Sequence, residues 1–318
     1  MKTLLIIGGS GFFGNSILKY LSNSKSIKKK IKKIIIISRK KLEKFYYLKQ
    51  LKKNYKVKKV NSDILKLKEL PAADYVIYAA IIKNFRKDYL AVKNYTRLAL
   101  KSHKNSKILF TSSGAVYGMQ PNNIKSFKEN YLKYNKKMYF KKGYKKNYSN
   151  FKLKSEKLFE ELGNFGVRVS IARCFTFVGE FLSLNSNFVI GNIIKNILEK
   201  KKIVVKADYI INRSYMFSDD LVKWLFKILV QSNTKCPVYN LGSNDKISIH
   251  QIVKILAKKY NLNFELPKIK SKLNDNYIPN TDKAKKELNL EINETSLEAI
   301  QKTIHLLLKN NIIKSKQN

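Results

Sequence analysis

Cysteine and histidine are almost missing: the 318 residues include two Cys, Cys174 and Cys236, and three His. Two thiols cannot build a disulfide framework, and so few soft ligands leave no credible metal cluster. Arginine is scarce as well. Of 65 basic residues only six are Arg, and the lysines are spread along the chain among Asn, Ile and Tyr, the residues that AT-rich codons favour. A net charge of +43 would suit nucleic acid or an anionic membrane surface, but selected nucleic-acid surfaces cluster Arg for bidentate contacts. The dispersal argues against specific nucleic-acid binding, and the charge suits steering of a small anionic substrate. Long apolar runs are absent too; Ile34 to Ile37 falls far short of a bilayer's thickness, so no membrane span or membrane partner is expected. The opening Met-Lys-Thr-Leu-Leu-Ile-Ile runs into glycines with no small-residue cleavage site, so it reads as a first strand and the cytoplasm as the compartment.

What is present is a core-forming composition, 44% hydrophobic with 12% aromatic residues, in a regular alternation. Strands are expected at Thr3 to Ile7, Lys33 to Ser38, Lys56 to Val60, Tyr75 to Ala79, Lys107 to Thr111 and Val167 to Arg173. Helices are expected at Gly11 to Leu21, Leu42 to Leu51, Tyr89 to Ser102 and Asn150 to Leu162. Strands apolar throughout, alternating with amphipathic helices, indicate a parallel sheet covered on both faces, the doubly wound α/β architecture of the Rossmann type. After Gly179 the order loosens: a helix at Phe188 to Lys200, a strand at Ile203 to Val205, a helix at Ser218 to Val230 and a core-like strand at Val238 to Leu241. This reads as a Rossmann domain over 1–178, with returning elements at about 212–245, and a smaller interleaved substrate-binding lobe from 179–211 and 246–318. Gln120 to Asn147, rich in Lys, Tyr and Asn, reads as a long surface insertion.

Four of the twelve glycines fall in Gly8-Gly9-Ser10-Gly11-Phe12-Phe13-Gly14, after a strand and at the opening of a helix. Glycines there let backbone amides approach a dinucleotide pyrophosphate, which then sits at the positive helix end. Folds of this kind place an acidic residue about 20 residues further on, at the end of the second strand, to bind the ribose diol of NAD. Here the strand ends Ser38-Arg39, which can accept a 2′-phosphate, so NADP(H) is expected ahead of NAD(H); a solvated basic loop is the plainer account of Arg39. Asp63-Ile64 is placed to contact adenine, with a turn as the alternative for Asp63, and Ala79-Ala80 end the fourth strand beside the cofactor.

An enzyme that exchanges hydride with an alcohol or ketone needs a proton donor and acceptor at the same carbon. Tyr with a nearby Lys can serve, because an ammonium lowers a phenol pKa. Tyr148 and Lys152 have helical i, i+4 spacing, but so do Tyr55 with Lys59 and Tyr89 with Lys93, as chance predicts in so lysine-rich a chain. Position separates them: only Tyr148 follows the fifth strand and its loop Thr111-Ser112-Ser113-Gly114-Ala115-Val116-Tyr117-Gly118.

With these motifs in order, joined by Arg173, Gly179, Arg213, Asp219-Asp220, Tyr239 to Ser243 and Tyr277 to Lys283, the chain resembles the extended short-chain dehydrogenase/reductase family over nearly its whole length. These are the NAD-dependent epimerase/dehydratase enzymes that modify nucleotide sugars. The resemblance implies that Ser113 polarises the substrate oxygen, with Ser112 or Thr111 as alternative hydroxyls. It implies that Tyr148 is the acid/base and that Lys152 binds the nicotinamide ribose and tunes Tyr148. It also implies that Arg213 grips the nucleotide-sugar diphosphate, unless it forms a surface salt bridge, and that Asn94 supports the site unless it is a solvated helix residue. Arg173 reads as structural and Asp220 as a helix cap. A homodimer through a bundle including the Tyr148 helix is also implied.

Departures from the family pattern narrow the reaction. Sugar 4,6-dehydratases carry Asp-Glu where this chain has Gly114-Ala115, so dehydration is disfavoured. Thr176 stands where many members have Asn beside the substrate. Two readings remain: a reductase that consumes NADPH on a nucleotide-linked 4-keto-6-deoxysugar, preferred because of Ser38-Arg39, and a 4-epimerase that retains NAD. A non-catalytic dinucleotide-binding protein of the same fold is the third.

Overall fold

The computed structural model describes residues 2–24, 29–39, 47–82, 84–134, 143–185, 188–271 and 274–315, with side chains to 310. Its centre is a seven-stranded sheet. In chain order the strands are β1 (Lys2–Ile7), β2 (Ile31–Ser38), β3 (Lys56–Asn61), β4 (Tyr75–Tyr78), β5 (Lys107–Ser113), β6 (Arg168–Cys174) and the strand Val238–Leu241. In space they run Val238–Leu241, β6, β5, β4, β1, β2, β3, all parallel. β1 lies between β2 and β4, with Leu4 beside both Ile34 and Tyr75, so the order reverses at β1. Such a switch point leaves a crevice outside the carboxyl ends of the strands.

Side-chain alternation explains why these strands are apolar without a break. Leu4, Ile6, Ile34 and Ile36 face one way, into a core with Ile17, Leu18 and Trp224. Leu5, Ile7, Ile35 and Ile37 face the other, toward Tyr95 and Phe159. Both faces are covered: by the helices Phe12–Asn23, Tyr47–Asn54 and Ser218–Val230 on the first, and by Phe85–Ser102 and Tyr144–Asn164 on the second. At its outer rim β3 exposes Lys56, Lys58 and Asn61. A third core joins the helices Val189–Leu198, Ile249–Tyr260 and Ser296–Ser315. Next to it is a small sheet in the order Ile247–Ser248, Ile210–Arg213, Asn274–Tyr277.

Some boundaries differ from the sequence reading. The helix expected from Tyr89 starts at Phe85, because Asn84 caps it by accepting the Lys87 N–H at 3.1 Å. The helix expected from Asn150 starts at Tyr144. The second helix is seen at Tyr47–Asn54; the expected positions 42–46 lie outside the described residues. Asp220 is inside the first turn of its helix, and its carboxylate accepts from the N–H of Asn293 at 2.8 Å rather than capping. The stretch from Gln120 is more than a surface insertion. Gln120 is buried, donates to the carbonyls of Ile124 (2.8 Å) and Lys125 (2.9 Å), and accepts from the N–H of Ile278 at 3.0 Å. Phe127, also buried, stacks on Tyr117 at 4.7 Å. Residues 135–142 lie outside the described part.

Candidate active site

The glycine loop closes β1 onto the helix Phe12–Asn23. Gly8 has φ of +97°, and a Cβ there would lie 2.7 Å from the backbone of Ala79 and Ala80. The loop therefore packs directly against the end of β4. Gly11 differs: it is exposed, its φ of −84° suits any residue, and a Cβ would meet only the Gly8 oxygen at 3.6 Å. Packing within the chain does not require glycine there. Close approach of a ligand would. The helix begins at Phe12 without a side-chain cap, so the first-turn N–H groups of Phe12, Phe13 and Gly14 are directed out of its positive end. A cradle without side chains over uncapped amides fits a dinucleotide pyrophosphate. The Phe13 ring packs edge-on to Phe177 at 5.5 Å.

At the end of β2, Ser38 is buried and donates to the Ser10 hydroxyl at 2.8 Å, tying the loop to the strand. Arg39 is exposed. Asp63 accepts the Leu65 N–H at 3.0 Å and so caps a short 3-10 turn, Ile64–Lys66, in which Ile64 is buried. Asn94 serves the same turn by donating to the carbonyls of Ile64 (2.8 Å) and Leu67 (3.0 Å), away from the catalytic side chains.

Three consecutive hydroxyls end β5, and their partners distinguish them. Thr111 donates to the Tyr78 carbonyl at 3.0 Å, and Ser112 donates to Glu156 Oε1 at 2.5 Å. Ser113 accepts the Ala115 N–H at 3.2 Å and hydrogen-bonds the phenols of Tyr148 and Tyr277. Of the three, only Ser113 faces the tyrosines. Glu156 is in turn chelated by buried Arg173, with Nη2 to Oε2 at 2.8 Å and Nε to Oε1 at 3.1 Å. Arg173 also donates to the Tyr117 hydroxyl at 3.0 Å.

Tyr148 and Lys152 lie one turn apart on the helix Tyr144–Asn164, with Lys152 Nζ 5.9 Å from the centre of the Tyr148 ring. Burial pushes the Tyr148 phenol up to about 12, against which the Ser113 hydrogen bond works. Lys152 is buried against Phe110 and Phe151 and donates to the Thr111 carbonyl at 2.8 Å. Burial lowers its ammonium to about 8, against the nearby Cys174, Asp88 and Glu156. The result is a phenol, a hydroxyl and an amine converging at the carboxyl edge of the sheet beside the glycine cradle, a set able to move one proton at one carbon.

The chain's other half reaches the same edge. Tyr277 is the member to which sequence reasoning gave no role, naming it only as the start of a motif; its packing on Phe175 at 4.7 Å and its bond to Ser113 join residues far apart in the chain. Beside it in strand register is Arg213, half-buried and paired with Asp275. Thr176 follows β6, and its hydroxyl is buried with no hydrogen-bond partner among the described residues.

A family model described as the NAD dependent epimerase/dehydratase family matches residues 4–242. Among solved structures, a dTDP-glucose 4,6-dehydratase from Bacillus anthracis str. Ames in complex with NAD superposes with a TM-score of 0.79 at 18% identity, covering 98% of each chain. A UDP-N-acetylglucosamine 4-epimerase from Methanobrevibacter ruminantium M1, in complex with UDP-N-acetylmuramic acid, has a TM-score of 0.75 at 18% identity, covering 97% of this chain and 99% of that one. A UDP-glucose 4-epimerase from Thermotoga maritima with UDP-glucose has a TM-score of 0.75 at 16% identity, covering 98% and 99%. At these identities the likeness establishes the fold. No curated protein sequence matches the chain.

Proposed function

The chain belongs to the NAD dependent epimerase/dehydratase family, and we propose that within it the protein reduces a nucleotide-linked 4-keto-6-deoxysugar at C4. The observation that carries this reading is the closed seat at Gly114. A Cβ there would lie 2.6 Å from the Phe175 ring, so an acidic residue at this position would have to displace that ring, which disfavours the carboxylate that water elimination would use beside Ser113. What remains is a site for hydride and proton exchange. A bound nicotinamide dinucleotide supplies the hydride. Ser113 holds the ketone oxygen, and Tyr148 gives that oxygen its phenolic proton as C4 is reduced, leaving an alcohol and a phenolate that solvent reprotonates. Lys152, as the ammonium, favours the phenolate and is placed to bind the nicotinamide ribose. Arg213 is the anchor for the diphosphate.

Arg39, exposed at the end of β2, supports NADPH as the reductant through its fit to a 2′-phosphate. The engagement of Ser38 with Ser10 favours the second reading, a 4-epimerase that keeps NAD bound and returns the hydride to the same carbon. The proposal includes a cytoplasmic homodimer through the outer faces of Phe85–Ser102 and Tyr144–Asn164. Leu90 and Leu100 are exposed there among Lys93, Arg97, Lys154 and Lys157.

NADPH oxidation with a dTDP- or CDP-linked 4-keto-6-deoxyhexose tests the reaction. Stoichiometric oxidation that is lost in Tyr148→Phe, with cofactor binding spared, is the expected result. Interconversion of a UDP-hexose without net cofactor turnover would replace it with the epimerase. Mass spectrometry of the dinucleotide that copurifies tests Arg39 independently.

A further inference from the structure

The diphosphate anchor is already engaged by a carboxylate. Arg213 Nη2 lies 3.1 Å from Asp275 Oδ2, and Nη1 donates to the main-chain oxygens of Asp275 at 2.7 Å and Asn212 at 2.8 Å. Lys145, in the first turn of the helix Tyr144–Asn164, approaches the same Oδ2 to 4.0 Å. One carboxylate oxygen thus faces cations from two separate elements. The cluster is open to solvent, with side-chain exposures of 20% for Arg213 and 25% for Asp275. It also adjoins the reaction centre. Tyr277 is two residues on from Asp275, hence on the same face of the strand; its phenol bonds Ser113, and its ring centre is 6.0 Å from the Arg213 guanidinium carbon.

Carboxylate and phosphate present matching oxygen pairs to a guanidinium fork. We propose that Asp275 occupies the seat of the substrate's diphosphate, which binds by displacing this carboxylate from Arg213, with Lys145 as its second cation. The natural ligand's identity rests on the nucleotide-sugar reading above; the seat rests on the ion cluster itself. The backbone stays in place during the exchange, because Asn276 accepts from Asn212 at 2.8 Å and the strand keeps its register from Asn274 beside Ile210 to Tyr277 beside Arg213. Only side chains move. Affinity is then a difference between two ion pairs, so a diphosphate displaces the carboxylate by its greater charge, whereas a singly charged anion gains little. This makes the site selective for a diphosphate over sugars that carry only a carboxylate.

Calorimetric titration of the full chain with pyrophosphate and with UDP tests this, using Asp275→Asn, Asp275→Ser, Arg213→Gln and Lys145→Gln. Asp275→Asn keeps the size and a hydrogen bond but removes the competing charge, so pyrophosphate binding should tighten about tenfold. Asp275→Ser should move it in the same direction. Arg213→Gln should weaken it at least about tenfold and Lys145→Gln about threefold, with circular dichroism unchanged. Unchanged or weaker binding in both folded Asp275 variants would overturn the competition and make Asp275 an orienting partner of Arg213. Tighter pyrophosphate binding in a protein that turns over no nucleotide sugar would keep the seat and overturn the proposed function. Turnover of a nucleotide sugar with the same KM in Asp275→Asn would do the reverse.

Discussion

Lys152 donates its ammonium to the main-chain oxygen of Thr111, 2.8 Å away, and the same nitrogen lies 5.9 Å from the centre of the Tyr148 ring. The bond fixes the amine between β5 and the phenol, in a setting dry enough to lower its pKa from 10.5 to about 8. The folded protein therefore gives up this proton before the unfolded chain does. Between about pH 8 and 10.5 the unfolded chain binds more protons, so this group's contribution to stability rises with pH there. Below that window its burial costs the full penalty, on the order of 3 kcal/mol. Urea denaturation of wild type and Lys152→Met across the window should show this rise in the wild type only. In kinetics the same proton should appear as a one-proton fall in kcat/KM above about pH 8, since the cationic form tunes Tyr148.

Ser112 and Ser113 are adjacent but have different duties. Ser113→Ala should lower kcat about a hundredfold with Tm nearly unchanged, because it removes the hydroxyl shared by Tyr148 and Tyr277. Ser112→Ala loses a bond to Glu156 that Arg173 still supports, so it should cost about 1 kcal/mol of stability and leave kcat within about threefold. Steady-state kinetics beside thermal melts separate the two, and equal kinetic damage would refute the assignment.

Gly11 offers a separation of fold from ligand. A Cβ there meets no protein atom closely, so Gly11→Ala should melt within a few degrees of wild type while weakening dinucleotide binding measured by nicotinamide fluorescence. By contrast, Gly8→Ala drives a Cβ into the backbone of Ala79 and Ala80 at a positive φ, and should lower Tm markedly.

The Glu156–Arg173 pair is buried on both sides, with exposures of 3% and 7%. Removing one member leaves a charge without its partner, so Arg173→Leu should cost about 3–5 kcal/mol in urea denaturation. Adding Glu156→Leu should restore part of the loss. Simple additivity of the two substitutions would show that they do not act as a pair.

The sheet was legible because burial on both faces demands apolar residues at every position, and β1 and β2 supply them. The helix pair Tyr148 and Lys152 was legible only by place. Tyr55, which matches the same spacing with Lys59, donates its hydroxyl to the Leu21 carbonyl at 3.2 Å and lies within a core. The contacts that close the site were not legible. Ser113 meets Tyr277, and Arg213 meets Asp275 across 62 residues, and a single sequence carries no periodicity that links a strand of one half to a loop of the other. The burial of Gln120 and Phe127 was hidden for a similar reason: their partners, Ile278 and Tyr117, lie far along the chain and in the preceding turn, while the lysines between them suggest only solvent.

Among the described residues β3 is the last strand of the large sheet, and it exposes Lys56 and Lys58 there. A sheet whose interior strands are so rich in isoleucine would otherwise be a template for joining a second copy, strand to strand. Two such rims brought together would oppose lysine with lysine. The excess of positive charge thus has a second consequence at this edge, where it opposes the pairing of two copies strand to strand.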